Sequence, residues 1–319
     1  MVPGTARVFS IATEPRGGTT SELTSVETAI IPVAGLGTRM MPLTLGTSKN
    51  LLPVGFKPLV QYAVEEALEA GCKKVVIVGG PEDVSLYKKA FAQQKSDALE
   101  AKLAKDEDLA ELIGPIEEMG AQLEFVIQEE PLGLGHAIYQ AHEYVTGGSF
   151  AVISPDDLIL DGLETPALRS MVGVYQGGVS VAAIEVSAEE TKKYGIFKLA
   201  DGSQNGRSIP AVGMVEKPKE NPPSNLAAVG RYILPASIMD VLSQEKRGAG
   251  NEVQLTDAID DMVSSGATSL NATLYEGQRF DCGKKQGFLD AWEHVISLEK
   301  EKLLTHEPTE TREVTAFEA

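Results

Sequence analysis

Between residues 28 and 155, short apolar runs alternate with longer stretches whose apolar residues recur at helical spacing, and this alternation restricts the fold more than any other feature of the sequence. Residues 28–33 read as a buried strand. Residues 58–70 read as a helix with Leu59, Ala63, Val64, Ala67 and Leu68 on one face and Gly71 as its stop. A second strand at 75–78, helices at 82–94 and 98–113, a third strand at 123–127, a helix at 135–145 and a strand at 150–153 follow. Strands apolar on both faces must be covered on both faces, so the pattern predicts an α/β fold with a Rossmann-like sheet flanked by helices. After Gly177-Gly178 the pattern changes to strand-like pieces at 179–186, 195–199, 212–216 and 227–234, with helices near 235–242 and 252–264. The sheet is therefore expected to be mixed, mostly parallel, and held in a single domain spanning 28–304.

Outside that span the chain lacks apolar periodicity. Residues 1–27, rich in Gly, Thr, Ser and Pro, and the acidic stretch 305–319 read as flexible tails. The balance of 28 Lys and Arg against 46 Asp and Glu, a formal charge of -18, argues against a nucleic-acid or anionic-membrane partner. A few converging cations can still serve an anionic small molecule. The two cysteines, Cys72 and Cys282, have no metal-ligand or redox spacing, which fits a reducing cytoplasm.

The first apolar strand runs straight into Ala34-Gly35-Leu36-Gly37-Thr38-Arg39, with Ser48-Lys49 about a dozen residues on. Backbone amides of a glycine-rich turn at a strand's carboxyl end can surround phosphate oxygens, and Arg39 and Lys49 add positive charge. A plain tight turn is the alternative. The dinucleotide fingerprint fails because Met40 stands at the third glycine, and no segment ends in Gly-Lys-Ser/Thr. Asp156 and Asp157 follow another strand, where a carboxylate can hold Mg²⁺ or merely cap a turn, and Asp281 raises the same choice. Glu216-Lys217-Pro218 is a strand exit with opposite charges. Gln128 closes the third strand with an amide able to donate and accept, and His136 reads as a packed or capping residue.

Taken in order, these blocks resemble the sugar-phosphate nucleotidyltransferases. The resemblance rests on Ala34 to Arg39, Pro42, Lys49, Leu52-Pro53-Val54, Lys57-Pro58-Leu59, Pro131-Leu132-Gly133-Leu134-Gly135-His136-Ala137 and Tyr194-Gly195-Ile196. It continues through Val215-Glu216-Lys217-Pro218, Gly230-Arg231-Tyr232, Gln254 to Asp260 and Asp281-Cys282-Gly283, covering residues 28 to about 300. It implies an enzyme that transfers a nucleotidyl group from UTP to glucose 1-phosphate, working as a homo-oligomer. By the same resemblance Arg39, Lys49 and Lys217 offset phosphate charge, and Asp156 and Asp281 hold Mg²⁺. Ala34, Gly35, Gly37, Gln128, Gly133 and Gly135 then surround the nucleotide, and Gly195, Glu216 and Gly230 the sugar. Where that pattern reads Pro-Lys-Glu, this chain has Ser48-Lys49-Asn50, a start familiar from thymidylyl-transferring relatives. A thymidylyltransferase, an enzyme that consumes nucleotide-sugars and a non-catalytic regulatory paralogue are the competing readings.

Overall fold

The computed structural model describes residues 26–201 and 206–305, so the stretches 1–25 and 306–319 of the expected tails lie outside the described residues. The first half of the chain supplies β1 (Val26–Pro32), the small strands β2 (Pro53–Val54) and β3 (Lys57–Pro58), α1 (Leu59–Glu69) and β4 (Lys74–Gly79). Then come α2 (Val84–Ala90), α3 (Asp97–Leu103), α4 (Glu107–Gly120), β5 (Leu123–Ile127), α5 (Leu134–Gln140), β6 (Ser149–Ile153), β7 (Asp157–Leu160) and α6 (Ala167–Val172). The second half adds β8 (Val179–Glu185), β9 (Gly195–Leu199), β10 (Ser208–Glu216), β11 (Leu226–Pro235), α7 (Ile238–Leu242), α8 (Leu255–Ser264), β12 (Leu270–Thr273), β13 (Gln278–Asp281) and α9 (Lys285–Thr305).

Nine strands form one mixed sheet in the order β5-β4-β1-β6-β11-β8-β12-β10-β9. The run β5-β4-β1-β6 is parallel throughout, β11 enters antiparallel to both β6 and β8, β12 is parallel to β8, and β10 is antiparallel to β12 and β9. Alternation along the central strands divides the core. Ile30, Val76 and Val78 point into one apolar layer beneath α5, α7 and α8. Ala29, Ile31, Val75 and Ile77 point into the other, shared with α1 and α6. The parallel half therefore collects the carboxyl ends of β1, β4, β5 and β6 along one edge, where open α/β sheets place ligands.

A third apolar cluster lies outside the sheet. Val54, Leu59, Tyr62, Leu158, Leu160, Phe280, Ala291 and Val295 pack the β2–β3 hairpin and a β7–β13 ribbon against α9. Its function is registration: the antiparallel ribbon sets Asp281 directly opposite Asp157.

Several expected boundaries move. β1 begins at Val26, two residues earlier than the apolar run suggests, because Glu27 is pinned by Lys73, whose amide donates to its carbonyl and whose Nζ reaches Glu27 Oε1 at 2.7 Å. The expected helix at 98–113 is two helices, since the Asp106 carboxylate accepts the Leu109 amide and caps α4. The helix expected at 135–145 ends at Gln140 and gives way to a 3-10 turn over His142–Tyr144. Among the described residues, no helix is long and apolar enough to cross a membrane.

Candidate active site

At the end of β1 the chain turns through Ala34 and Gly35 to Gly37, whose φ of 61° favours glycine. A methyl on Gly37 would also lie 3.0 Å from Lys49 Cβ, so the glycine lets the turn rest on the Lys49 segment. A methyl on Gly35 would be 3.8 Å from Lys49 Nζ. The ammonium thus sits beside the glycine turn, and it donates to Asp156 Oδ2 at 2.5 Å. Burial pushes the Asp156 carboxyl up; the Lys49 ammonium, aided by the Arg39 guanidinium, outweighs it and holds the group below its ordinary value. Asp156 is ionised at neutral pH.

Asp281 comes to the same place from β13. A methyl on Gly283 would lie 2.9 Å from Asp156 Oδ2, 3.2 Å from Asp281 Oδ1 and 3.2 Å from Arg39 Nη2. Two carboxylates and a guanidinium therefore surround one point, and glycine leaves room for them. Lys284 pairs with Asp281, and Arg279 with Asp157. Arg39, Asp156, Asp157, Gly230, Arg279, Asp281 and Lys284 line a cavity of about 260 Å³ together with Tyr194 and Tyr232. Burial pushes Asp157 up, and the neighbouring Asp156 charge adds to this against the opposing Arg279.

The expected sugar-side residues form the adjoining wall. Glu216 Oε2 accepts from Thr256 Oγ1 at 3.0 Å, and a methyl on Gly195 would lie 3.3 Å from the same oxygen. Gly230 donates its amide to Asp157 Oδ2 at 2.9 Å and has no room for a side chain, since a methyl there would meet Ser154 Cβ at 2.6 Å. Lys217 stands at the exit of β10 with φ 43°, half-exposed, its Nζ 3.1 Å from Glu216 Oε1.

Gln128, Gly133 and Gly135 belong to a separate group at the carboxyl end of β5. They do not line the cavity. Gly133 (φ 105°) and Gly135 are pressed against Glu252 and Val253, and the Gly135 amide donates to the Val253 carbonyl at 2.9 Å. Gln128 is buried, with Nε2 3.3 Å from the Gly133 carbonyl and 2.8 Å from His136 Nδ1. Asn50, the residue that breaks the expected pattern, is 1% exposed and lies beside Tyr87.

Residues 28–297 match the nucleotidyl transferase family. The chain belongs to that family. It is 40% identical over 267 residues to the UTP–glucose-1-phosphate uridylyltransferase of Staphylococcus haemolyticus, covering 83% of this chain and 90% of that one. Among solved structures, a UDP-glucose pyrophosphorylase complexed with UDP-glucose superposes with a TM-score of 0.73 at 34% identity, over 87% of this chain and all of the other. A UTP-bound UGPase from Acinetobacter baumannii gives 0.75 at 33% identity, over 89% and 100%.

This nucleotidyl transferase carries site residues to which the sequence alone assigned no role. Arg231 is buried and paired with buried Glu66 of α1 through contacts of 2.7 to 3.1 Å. Its Nη1 donates to the carbonyls of Asp157 at 2.7 Å, Ser154 at 3.1 Å and Gly230 at 3.2 Å. One guanidinium thus fastens the β6–β7 turn, which carries Asp156, to β11. Glu66 also accepts the Leu168 amide at 3.0 Å, tying in α6. An arginine inside an otherwise apolar strand and a glutamate on the apolar face of α1 were the available signals. Arg279 had one too, since strand alternation puts it on the same face as Asp281.

Proposed function

We propose that this chain joins UTP and α-D-glucose 1-phosphate into UDP-glucose and pyrophosphate. The observation that carries the proposal is the convergence of Arg39, Asp156 and Asp281 on one point, with Lys49 bonded to Asp156, at the carboxyl edge of the sheet. The adjoining Glu216, Gly195 and Gly230 wall offers an acceptor and free space of the kind a sugar ring requires. The uridylyltransferase name of the Staphylococcus relative and the UDP-glucose and UTP complexes of the structural relatives support this choice of substrates.

In this reading a phosphate oxygen of glucose 1-phosphate attacks the α-phosphorus in line while pyrophosphate leaves opposite, so no protein nucleophile is required. Arg39 and Lys49 offset charge beside the glycine turn. Lys217 reaches from β10 to the sugar phosphate and the α-phosphate, and Glu216 accepts from sugar hydroxyls. The nucleotide lies over the carboxyl ends of β1, β4 and β5, with Ala34, Gly35 and Gly37 along the phosphates and Gln128, Gly133 and Gly135 at the base.

The donor set suits Mg²⁺. Among the described residues no cluster of three or more His, Cys, Asp or Glu can hold a metal unaided. Two carboxylates around one open point match an ion that completes its shell with substrate oxygens and water. Asp156 and Asp281 would hold it, and when bound it neutralises charge on the phosphate oxygens. The two free cysteines support a reducing compartment such as the cytoplasm. The exposed apolar side chains Phe56, Leu289 and Trp292, on the β2–β3 hairpin and the α9 it packs against, support a homo-oligomer.

A substrate matrix tests the assignment: UTP, dTTP, CTP and GTP each paired with several sugar 1-phosphates and Mg²⁺, with pyrophosphate release as the readout. UTP with glucose 1-phosphate is expected to lead. A clear dTTP preference would instead make the enzyme a thymidylyltransferase.

A further inference from the structure

Gln128 and His136 form a hydrogen-bonded pair whose proton positions are fixed by what surrounds it. The Gly133 carbonyl can only accept, so the amide edge of Gln128 facing it at 3.3 Å is the nitrogen. That nitrogen has two protons. One goes to the Gly133 carbonyl and the other to His136 Nδ1 at 2.8 Å, which must therefore accept. The ring proton is then on Nε2, which faces the Gln140 amide at 3.0 Å, able to receive it through its oxygen once turned over, and Glu245 Oε1 at 4.0 Å. With both Nε2 protons committed inward, only the oxygen of Gln128 is left for a ligand. Gly133 supports this arrangement through its own backbone, since its φ of 105° and the nearby Glu252 Cβ exclude any side chain.

We infer that His136 sets which nucleobase the enzyme accepts, by holding the Gln128 amide with its oxygen toward the base. The inference rests on the reading that Gln128 meets the base of the nucleotide. An oxygen facing N3 of a pyrimidine accepts the N3–H of uracil, whereas at the same place it meets a lone pair on cytosine. Without His136 only the longer contact to the Gly133 carbonyl, at 3.3 Å, still opposes a turn of the amide, and a turned amide presents its nitrogen and accommodates cytosine. His136 is thus a positioning residue that acts through Gln128.

The test compares kcat/KM for UTP and CTP, at saturating glucose 1-phosphate, in the wild type, His136→Phe, Gln128→Ala and the double variant. The UTP-to-CTP ratio should fall about tenfold in His136→Phe, near the upper end of what one net hydrogen bond supplies. The ratio in the double variant should equal that of Gln128→Ala, because the histidine has nothing left to orient. Calorimetric binding of UDP and CDP should show the same loss of discrimination. If His136→Phe does not fold, Gln140→Leu, which frees the far side of the ring, should lower the ratio in the same direction. Equal losses for both nucleotides, with the ratio kept, would overturn the inference. So would additive effects in the double variant. Failure of the wild type to use UTP at all would instead count against the proposed function.

Discussion

Asp156 is where burial and charge pairing oppose one another most directly. Burial raises its carboxyl, and Lys49, a backbone hydrogen bond and Arg39 together lower it further than burial raises it, so the group stays charged and available to a cation. Asp156→Asn keeps the shape and removes the charge. Turnover is expected to fall by about 10²-fold or more, the usual loss when one preorganised electrostatic contact is removed. Circular dichroism at neutral pH should remain unchanged. The same carboxyl also affects acid stability. A folded-state value below the unfolded one contributes stability above the unfolded value, ~3.9, that is lost as pH falls through the folded value. Thermal melts below about pH 4 should accordingly show a shallower acid loss in Asp156→Asn than in the wild type. Asn50 makes a different kind of prediction. It is buried beside Tyr87, so Asn50→Glu places a charge in the interior. Its melting temperature should drop by about 3 °C or more, the shift of a ~1 kcal/mol loss in a domain this large. The UTP-to-dTTP ratio should stay as in the wild type.

Among the elements, the β6–β7 turn depends on β11 and α1 through one buried guanidinium. Removing either Arg231 or Glu66 alone leaves a charge without its partner and should cost about 3–5 kcal/mol, read by urea unfolding. The paired replacement Glu66→Leu with Arg231→Met should recover most of that stability. It should not recover turnover, because the carbonyls of Ser154, Asp157 and Gly230 lose their common donor. Turnover restored along with stability would show that the pair serves folding alone. How well the elements could be read from sequence followed their length and periodicity. β5 and β9 fall at their expected bounds, and β4, β6, β8 and β11 lie within one residue of theirs, because continuous apolar runs leave one solution. The four-residue strands β7, β12 and β13 and the helix α9 went unread. Strands so short show almost no alternation, and α9 mixes its apolar residues with Lys and Glu around much of its circumference. The site divided in the same way. Arg39, Lys49, Asp156 and Asp281 could be picked out as charged residues next to glycine or a strand end. The partners that fix them, Arg231, Glu66 and Arg279, come from sequence positions up to 165 apart and meet only through the fold.

At the scale of the whole molecule, a protein of net charge -18 concentrates Arg39, Lys49, Arg279 and Lys284 at one edge of its sheet, each next to a carboxylate or the glycine turn. This local reversal of sign is what an anionic substrate pair needs in an acidic protein. The parallel half of the sheet supplies the edge, the antiparallel half supplies the Glu216 and Gly230 wall, and the β7–β13 ribbon brings the second carboxylate across from α9. One chemical event defines the molecule's activity: a nucleotidyl group passes from UTP to glucose 1-phosphate without hydrolysis. Phosphorus NMR of UTP, glucose 1-phosphate, Mg²⁺ and enzyme in one tube tests it most directly. Pyrophosphate and UDP-glucose should appear in equal amounts as UTP disappears, and omission of the sugar phosphate or the metal should stop both. Release of orthophosphate, or loss of UTP without UDP-glucose, would contradict nucleotidyl transfer to the sugar phosphate.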